Sequence, residues 1–131
     1  MTHYHAAIWI DHHEAHIVSF NPDEASSETV QHTNPIKHHR HVAGSERGWR
    51  APEDPAYYEQ VAEKLGEFGE ILIVGPANAK FALLKHLQAK HPKLAEKVVG
   101  IETVDHPTNG ELANYARAYF HKKDRMLPQI G

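Results

Sequence analysis

The sequence predicts an α/β domain in which a mixed five-stranded sheet is flanked by helices, in the order β-β-β-α-β-α-β-α. Two observations predict it. Short apolar or β-rich runs follow one another closely in the first third. From residue 54 onward, helix-start signals and helical stripes alternate with short apolar runs. The 131 residues leave room for one core. No repeat with a period of about 20–50 residues is visible, which argues against a solenoid or propeller.

The first strand is Ala6-Ala7-Ile8-Trp9-Ile10-Asp11, and the second is Glu14-Ala15-His16-Ile17-Val18-Ser19-Phe20. Only His12-His13 separates them, so they should form an antiparallel hairpin, although His-His is not the usual turn pair. Asn21-Pro22-Asp23 reads as a turn and Glu28–Thr33 as a third strand. The polar stretch from 34 to 54 is long for a connection inside a compact domain, and such loops tend to carry function. Asp54 as cap and Pro55 at the first position then start a helix, with Tyr58, Val61, Ala62, Leu65 and Phe68 on one face and Gly69 ending it. Ile71-Leu72-Ile73-Val74 has the uninterrupted apolar character of a central strand.

After Gly75-Pro76 a second helix is expected to run to about Lys90, with Phe81, Leu84 and Leu87 as its apolar stripe. Lys97–Val104 reads as the last strand. Thr108 and Glu111 have the spacing of a capping box for a third helix, whose stripe is Leu112, Tyr115, Ala116, Tyr119 and Phe120. The reading is one domain over residues 1–122 with a long loop at 34–54, followed by a loosely held tail at 123–131.

Composition narrows the function classes. Zero cysteines exclude disulfide scaffolds, thiolate metal sites and cysteine nucleophiles. No apolar run approaches the roughly 20 residues of a membrane span, and Met1–His5 lacks the character of a signal peptide, so a cytoplasmic protein without membrane partners is expected. The formal charge of −3 argues against a uniformly basic coat, yet Lys37, Arg40, Arg47 and Arg50 face only Glu46 between residues 34 and 50. Thirteen histidines are an unusual endowment, and mild acidification alone could reverse the net sign.

Several distinctive segments resemble bacterial translational machinery proteins: Ala6–Ala15, Ala43-Gly44-Ser45, Arg50–Asp54, Ile73-Val74-Gly75-Pro76 with Ala79-Lys80, and Val104-Asp105-His106-Pro107. That group is similar in turn to the middle domain of archaeal and eukaryotic peptide-release factors, which shares a ribonuclease H-like order of elements. The resemblance implies a Gly-Gly-Gln motif in the long loop between the third strand and the first helix. This chain reads Ala43-Gly44-Ser45 there and contains no Gly-Gly-Gln. The resemblance therefore implies the fold and an association with translation, without the tripeptide that the family's hydrolysis of peptidyl-tRNA uses.

The residues themselves suggest four constellations. Lys37, Arg40, Arg47 and Arg50, with Trp49 and the histidines His38, His39 and His41, form a segment suited to neutralising phosphates and stacking on a base. Gly75, Asn78 and Lys80 mark a helix start directly after a central strand, a natural anion site. It is no Walker loop. Asp11, with Glu59 or Glu63, is an incomplete carboxylate set for two-metal nuclease chemistry, because Val74-Gly75-Pro76 offers no further ligand. His12, His13, His16 and His106 could ligate a metal, but no recognised spacing supports an assigned site. No nucleophile-elbow serine is present either.

The expectation is therefore a non-catalytic domain that binds the ribosome or structured RNA, tRNA or rRNA, through its basic loop. No catalytic residue, metal or cofactor is assigned. The alternatives are a divergent hydrolase acting on a tRNA ester, a metal-dependent phosphodiesterase, and a histidine-rich metal-binding protein.

Overall fold

A computed structural model of the chain describes residues 4–21, 24–32 and 55–126, with side chains through Lys122. Its elements are β1 (His5–Ile10), β2 (Glu14–Phe20), β3 (Ala25–Gln31), α1 (Pro55–Leu65), β4 (Glu70–Gly75), α2 (Ala79–Lys90), a short α3 (Pro92–Ala95), β5 (Val98–Thr103) and α4 (Asn109–Met126). The sheet order is β3-β2-β1-β4-β5. β1 pairs antiparallel with β2, and β2 with β3, whereas β1–β4 and β4–β5 are parallel. β2 alone runs against the other four. This is the mixed five-stranded α/β architecture that the sequence predicts.

Alternation along the two central strands builds two cores. Ala6, Ile8 and Ile10 of β1, with Ile71 and Ile73 of β4, face α1, α2 and α3. Ala7, Trp9, Leu72 and Val74 point to the opposite side, where Leu112, Ala113, Ala116 and Phe120 of α4 cover them. Both strands are buried on both faces, which is why they read as continuous apolar runs rather than alternating ones.

The hairpin turn is explained by Asp11. Its Oδ1 accepts the backbone N–H groups of His13 and Glu14, both at 2.8 Å, while its own N–H donates to the Glu14 carbonyl at 3.0 Å. The aspartate supplies the turn chemistry that His12-His13 lacks. At the next turn the Asn21 carboxamide accepts the Glu24 N–H at 2.8 Å, and the Arg117 guanidinium of α4 donates to the carbonyls of Asn21 and Glu24. β3 starts at Ala25, three residues earlier than expected, and ends at Gln31. Pairing with every residue of β2 draws the weakly β-forming Ala25-Ser26-Ser27 into the ladder.

The helices carry four corrections. In α1 the expected face is buried, joined by Tyr57, but the helix stops at Leu65 and Phe68 packs from the following turn rather than from the helix. The proposed Asp54 cap lies outside the described residues. In α2 the buried face is Ala79, Lys80, Leu83 and Leu87, whereas Phe81 is 48% exposed and Leu84 is only partly covered. In α4 the capping box forms as expected: Glu111 N–H donates to Thr108 Oγ1 at 3.1 Å, and Thr108 N–H to Glu111 Oε1 at 2.9 Å. Tyr115, however, sits on the rim at 38% exposure. Tyr119 reaches back over β5 and donates its hydroxyl to the Val99 carbonyl at 3.2 Å. That crossing requires Gly100, because a Cβ there would lie 2.2 Å from the Tyr119 oxygen. The α4 backbone remains helical through Met126, into the segment read as a tail. Among the described residues no helix is long and apolar enough to cross a membrane.

Candidate nucleic-acid interface

β1, β3, β4 and β5 run the same way, so their carboxyl ends share one edge of the sheet, the edge at which open α/β sheets usually carry their sites. Residues 33–54 leave that edge after His32 and rejoin the described fold at Pro55. The two attachment points are tied together. The His32 N–H donates to the His13 carbonyl at 2.9 Å, and His32 Nδ1 lies 3.1 Å from the His12 carbonyl. The His32 ring stacks on Tyr57 at 4.9 Å between centroids. Tyr57 in turn donates its hydroxyl to the Asp11 carbonyl at 2.9 Å. Burial, then the nearby Asp11 charge, pushes the Tyr57 phenol far above its ordinary value, so it stays a donor throughout the working pH range. Tyr57→Phe should therefore cost about 0.5–1.5 kcal/mol. Urea unfolding checks this, and an unchanged midpoint would show that the hydroxyl does not hold the loop root.

The same edge collects further rings. The buried Trp9 indole N–H donates to the Asp105 carbonyl, and the His106 ring lies 4.8 Å from the indole. His106 Nε2 is 4.0 Å from Asp11 Oδ2. Gly75, the last residue of β4, closes the edge: a Cβ there would sit 2.4 Å from the Ile10 carbonyl oxygen. Its lack of a side chain serves the approach of β1 and β4.

The residues singled out from the sequence divide into three groups. Lys37, His38, His39, Arg40, His41, Ala43-Gly44-Ser45, Arg47, Trp49 and Arg50 lie outside the described residues. At the start of α2, Asn78 accepts the N–H groups of Phe81 and Ala82 through its carbonyl, and its side chain makes no cap bond. Lys80 is 3% exposed; its ammonium donates to the Ala77 carbonyl and lies over the Phe81 ring, 4.7 Å from the centroid. The hairpin histidines are dispersed. His16 bridges Glu14 and Thr29, at 3.1 and 3.2 Å, and His12 contributes its carbonyl to His32.

Asp11 and Glu59, considered together as nuclease carboxylates, have separate attachments. Asp11 organises the hairpin turn, and Glu59 Oε1 meets His86 Nε2 at 3.0 Å and His91 Nε2 at 2.8 Å. Hydrogen bonds from His91 first, and then His86, hold the Glu59 carboxyl below the usual carboxylate range. Sequence pattern alone does not single out His86 and His91, because their five-residue spacing spans the bend at the end of α2 and matches no helical pair.

No protein-family model matches the chain, and no curated protein sequence matches it. Solved structures do share its fold. The Pelota protein of Thermoplasma acidophilum superposes with a TM-score of 0.59 at 18% identity, over 87% of this chain and 32% of that one. An archaeal translation termination factor, aRF1, gives 0.54 at 12%, over 97% and 42%. Dom34 of S. cerevisiae, a translation termination-like factor involved in RNA quality control and interacting with Hbs1, gives 0.55 at 10%, over 95% and 38%. The chain thus has the fold of a domain found in translation termination-like factors, and it spans about a third to two-fifths of the length of those proteins.

Proposed function

We propose that this is a non-catalytic, translation-associated domain that binds the ribosome or structured RNA in the bacterial cytoplasm. The binding surface is the basic segment rooted at His32 and Tyr57, with Lys37, Arg40, Arg47 and Arg50 contacting phosphates and Trp49 stacking on a base. The observation that supports this reading best is the shared fold. Residues 33–54 run between β3 and α1, and the resemblance implies that the release-factor middle domain carries its Gly-Gly-Gln in that loop. With Ala43-Gly44-Ser45 in that segment, the domain keeps the cations and lacks the tripeptide used in hydrolysis.

Double replacement of Arg47 and Arg50 by alanine tests the surface. It should weaken binding to tRNA or rRNA fragments without lowering the unfolding midpoint. Trp49→Ala should remove roughly 1–3 kcal/mol of binding if the indole stacks on a base. RNA binding indifferent to all four cations would move the surface elsewhere, and not to the Gly75, Asn78 and Lys80 helix start, where Lys80 is buried against the Ala77 carbonyl. Turnover of a peptidyl-tRNA ester that depends on Ser45 would replace the binding reading with an enzymatic one.

A further inference from the structure

Three side chains that the proposed RNA-binding role does not use meet between α1 and the end of α2. Glu59 projects from α1; His86 lies in the last turns of α2, and His91 ends it. One ligand atom from each can be chosen so that all three lie within 4.8 Å of one another. Both imidazole Nε2 atoms converge on the same oxygen, Glu59 Oε1, at 3.0 and 2.8 Å, and His91 Nε2 is also 3.0 Å from Oε2. The donor edges around a tetrahedral ion with bonds of about 2.0–2.1 Å are about 3.3 Å long. The nitrogen–oxygen separations, 2.8 and 3.0 Å, are shorter than that edge by about 0.3–0.5 Å, so a small outward shift of the side chains would admit the ion.

We infer that Glu59, His86 and His91 form a binding site for a borderline divalent transition ion, Zn²⁺ in the first instance, joining α1 to the end of α2. Donor chemistry favours it: two imidazoles and one carboxylate suit Zn²⁺, whereas Mg²⁺ and Ca²⁺ prefer all-oxygen sites. Preorganisation favours it as well. His86 is only 10% exposed and packs beside Tyr58. The His91 backbone is fixed on both sides, its N–H donating to the Leu87 carbonyl at 2.7 Å and its carbonyl accepting from Leu94 and Ala95. Glu59 and His91 are 40% and 34% exposed, which leaves a route for the ion and an outward position for water.

The cluster also differs from the other histidine–carboxylate contacts among the described residues. His5–Glu70, His16–Glu14 and His106–Asp11 each bring one imidazole to one carboxylate, but Glu59 gathers two. Without an ion, a proton on each Nε2 bridges to the carboxylate. An ion would take the Nε2 position of each ring, with the one ring proton of each neutral imidazole carried on Nδ1.

The experiment is a Zn²⁺ titration of the full chain, stripped with chelator beforehand, in the presence of a competing chelator that masks weak surface histidines. One equivalent should bind tightly and raise the unfolding temperature, and Mg²⁺ should do neither. His86→Asn with His91→Asn should weaken that equivalent at least about 100-fold, whereas His12→Asn with His16→Asn should leave it intact. Should the first pair unfold the protein, imidazole NMR of the unmodified chain decides, because the first equivalent of Zn²⁺ should shift His86 and His91 before any other histidine. First-equivalent binding that shifts other histidines, or that survives loss of both His86 and His91, would overturn the site.

Discussion

Replacing Trp9 by alanine is expected to lower the unfolding free energy by about 3–5 kcal/mol. The indole is 2% exposed and packs in the core beneath α4, among Ala7, Leu72, Val74 and Leu112. Its removal leaves a cavity between the sheet and α4, and it removes the hydrogen bond to the Asp105 carbonyl. Trp9→Phe should recover part of the loss by refilling the space without restoring the hydrogen bond. Because His106 leans on the indole at the carboxyl edge, Trp9→Ala should also disturb the His106 ring signal. Chemical denaturation of the three proteins measures the effect. A loss below about 1 kcal/mol for Trp9→Ala would mean that the α4-side core is not built around the indole.

Leu112→Ala is the second large effect, at about 2–5 kcal/mol, since the side chain is 1% exposed at the centre of the α4 contact. Its neighbour on the sequence stripe makes the control. Tyr115 is 38% exposed, and Tyr115→Ala should cost less than about 1 kcal/mol. Equal losses at the two positions would show that α4 presents a different face to the sheet.

The contrast between those residues marks what could be read from the sequence. Strand identity was legible wherever burial on both faces produced an apolar run, as in β1 and β4. The start of α4 was legible because Thr108 and Glu111 must satisfy each other's backbone donors whatever the tertiary context. Helix faces were harder. Apolar residues surround much of α2, so Phe81-Leu84-Leu87 and Ala79-Leu83-Leu87 are equally regular stripes, and only the packing of the sheet chooses the second. Lys80 joins that buried face because its ammonium donates to the Ala77 carbonyl and lies over the Phe81 ring.

The candidate sites follow the same division. The carboxyl edge was visible as distinctive local segments, Ile10-Asp11-His12-His13 and Asp105-His106, each made of neighbours in sequence. The coupling of His32 to Tyr57 was not visible, because it joins residues on opposite sides of a long segment. The Glu59–His86–His91 cluster was invisible for the same reason. Its carboxylate and imidazoles are 27 and 32 residues apart, and no local period connects them.

Co-sedimentation of the full chain with bacterial ribosomes over a salt series tests the proposed ribosome binding most directly. With about three or four phosphate contacts, affinity should fall roughly 20- to 150-fold between about 50 and 200 mM salt. The Arg47→Ala, Arg50→Ala protein should bind more weakly at every salt concentration and show a shallower slope. Pelleting is expected at low salt and should be lost on this schedule. No pelleting at the lowest salt, or pelleting that neither salt nor the loop substitutions diminish, would contradict the proposed binding.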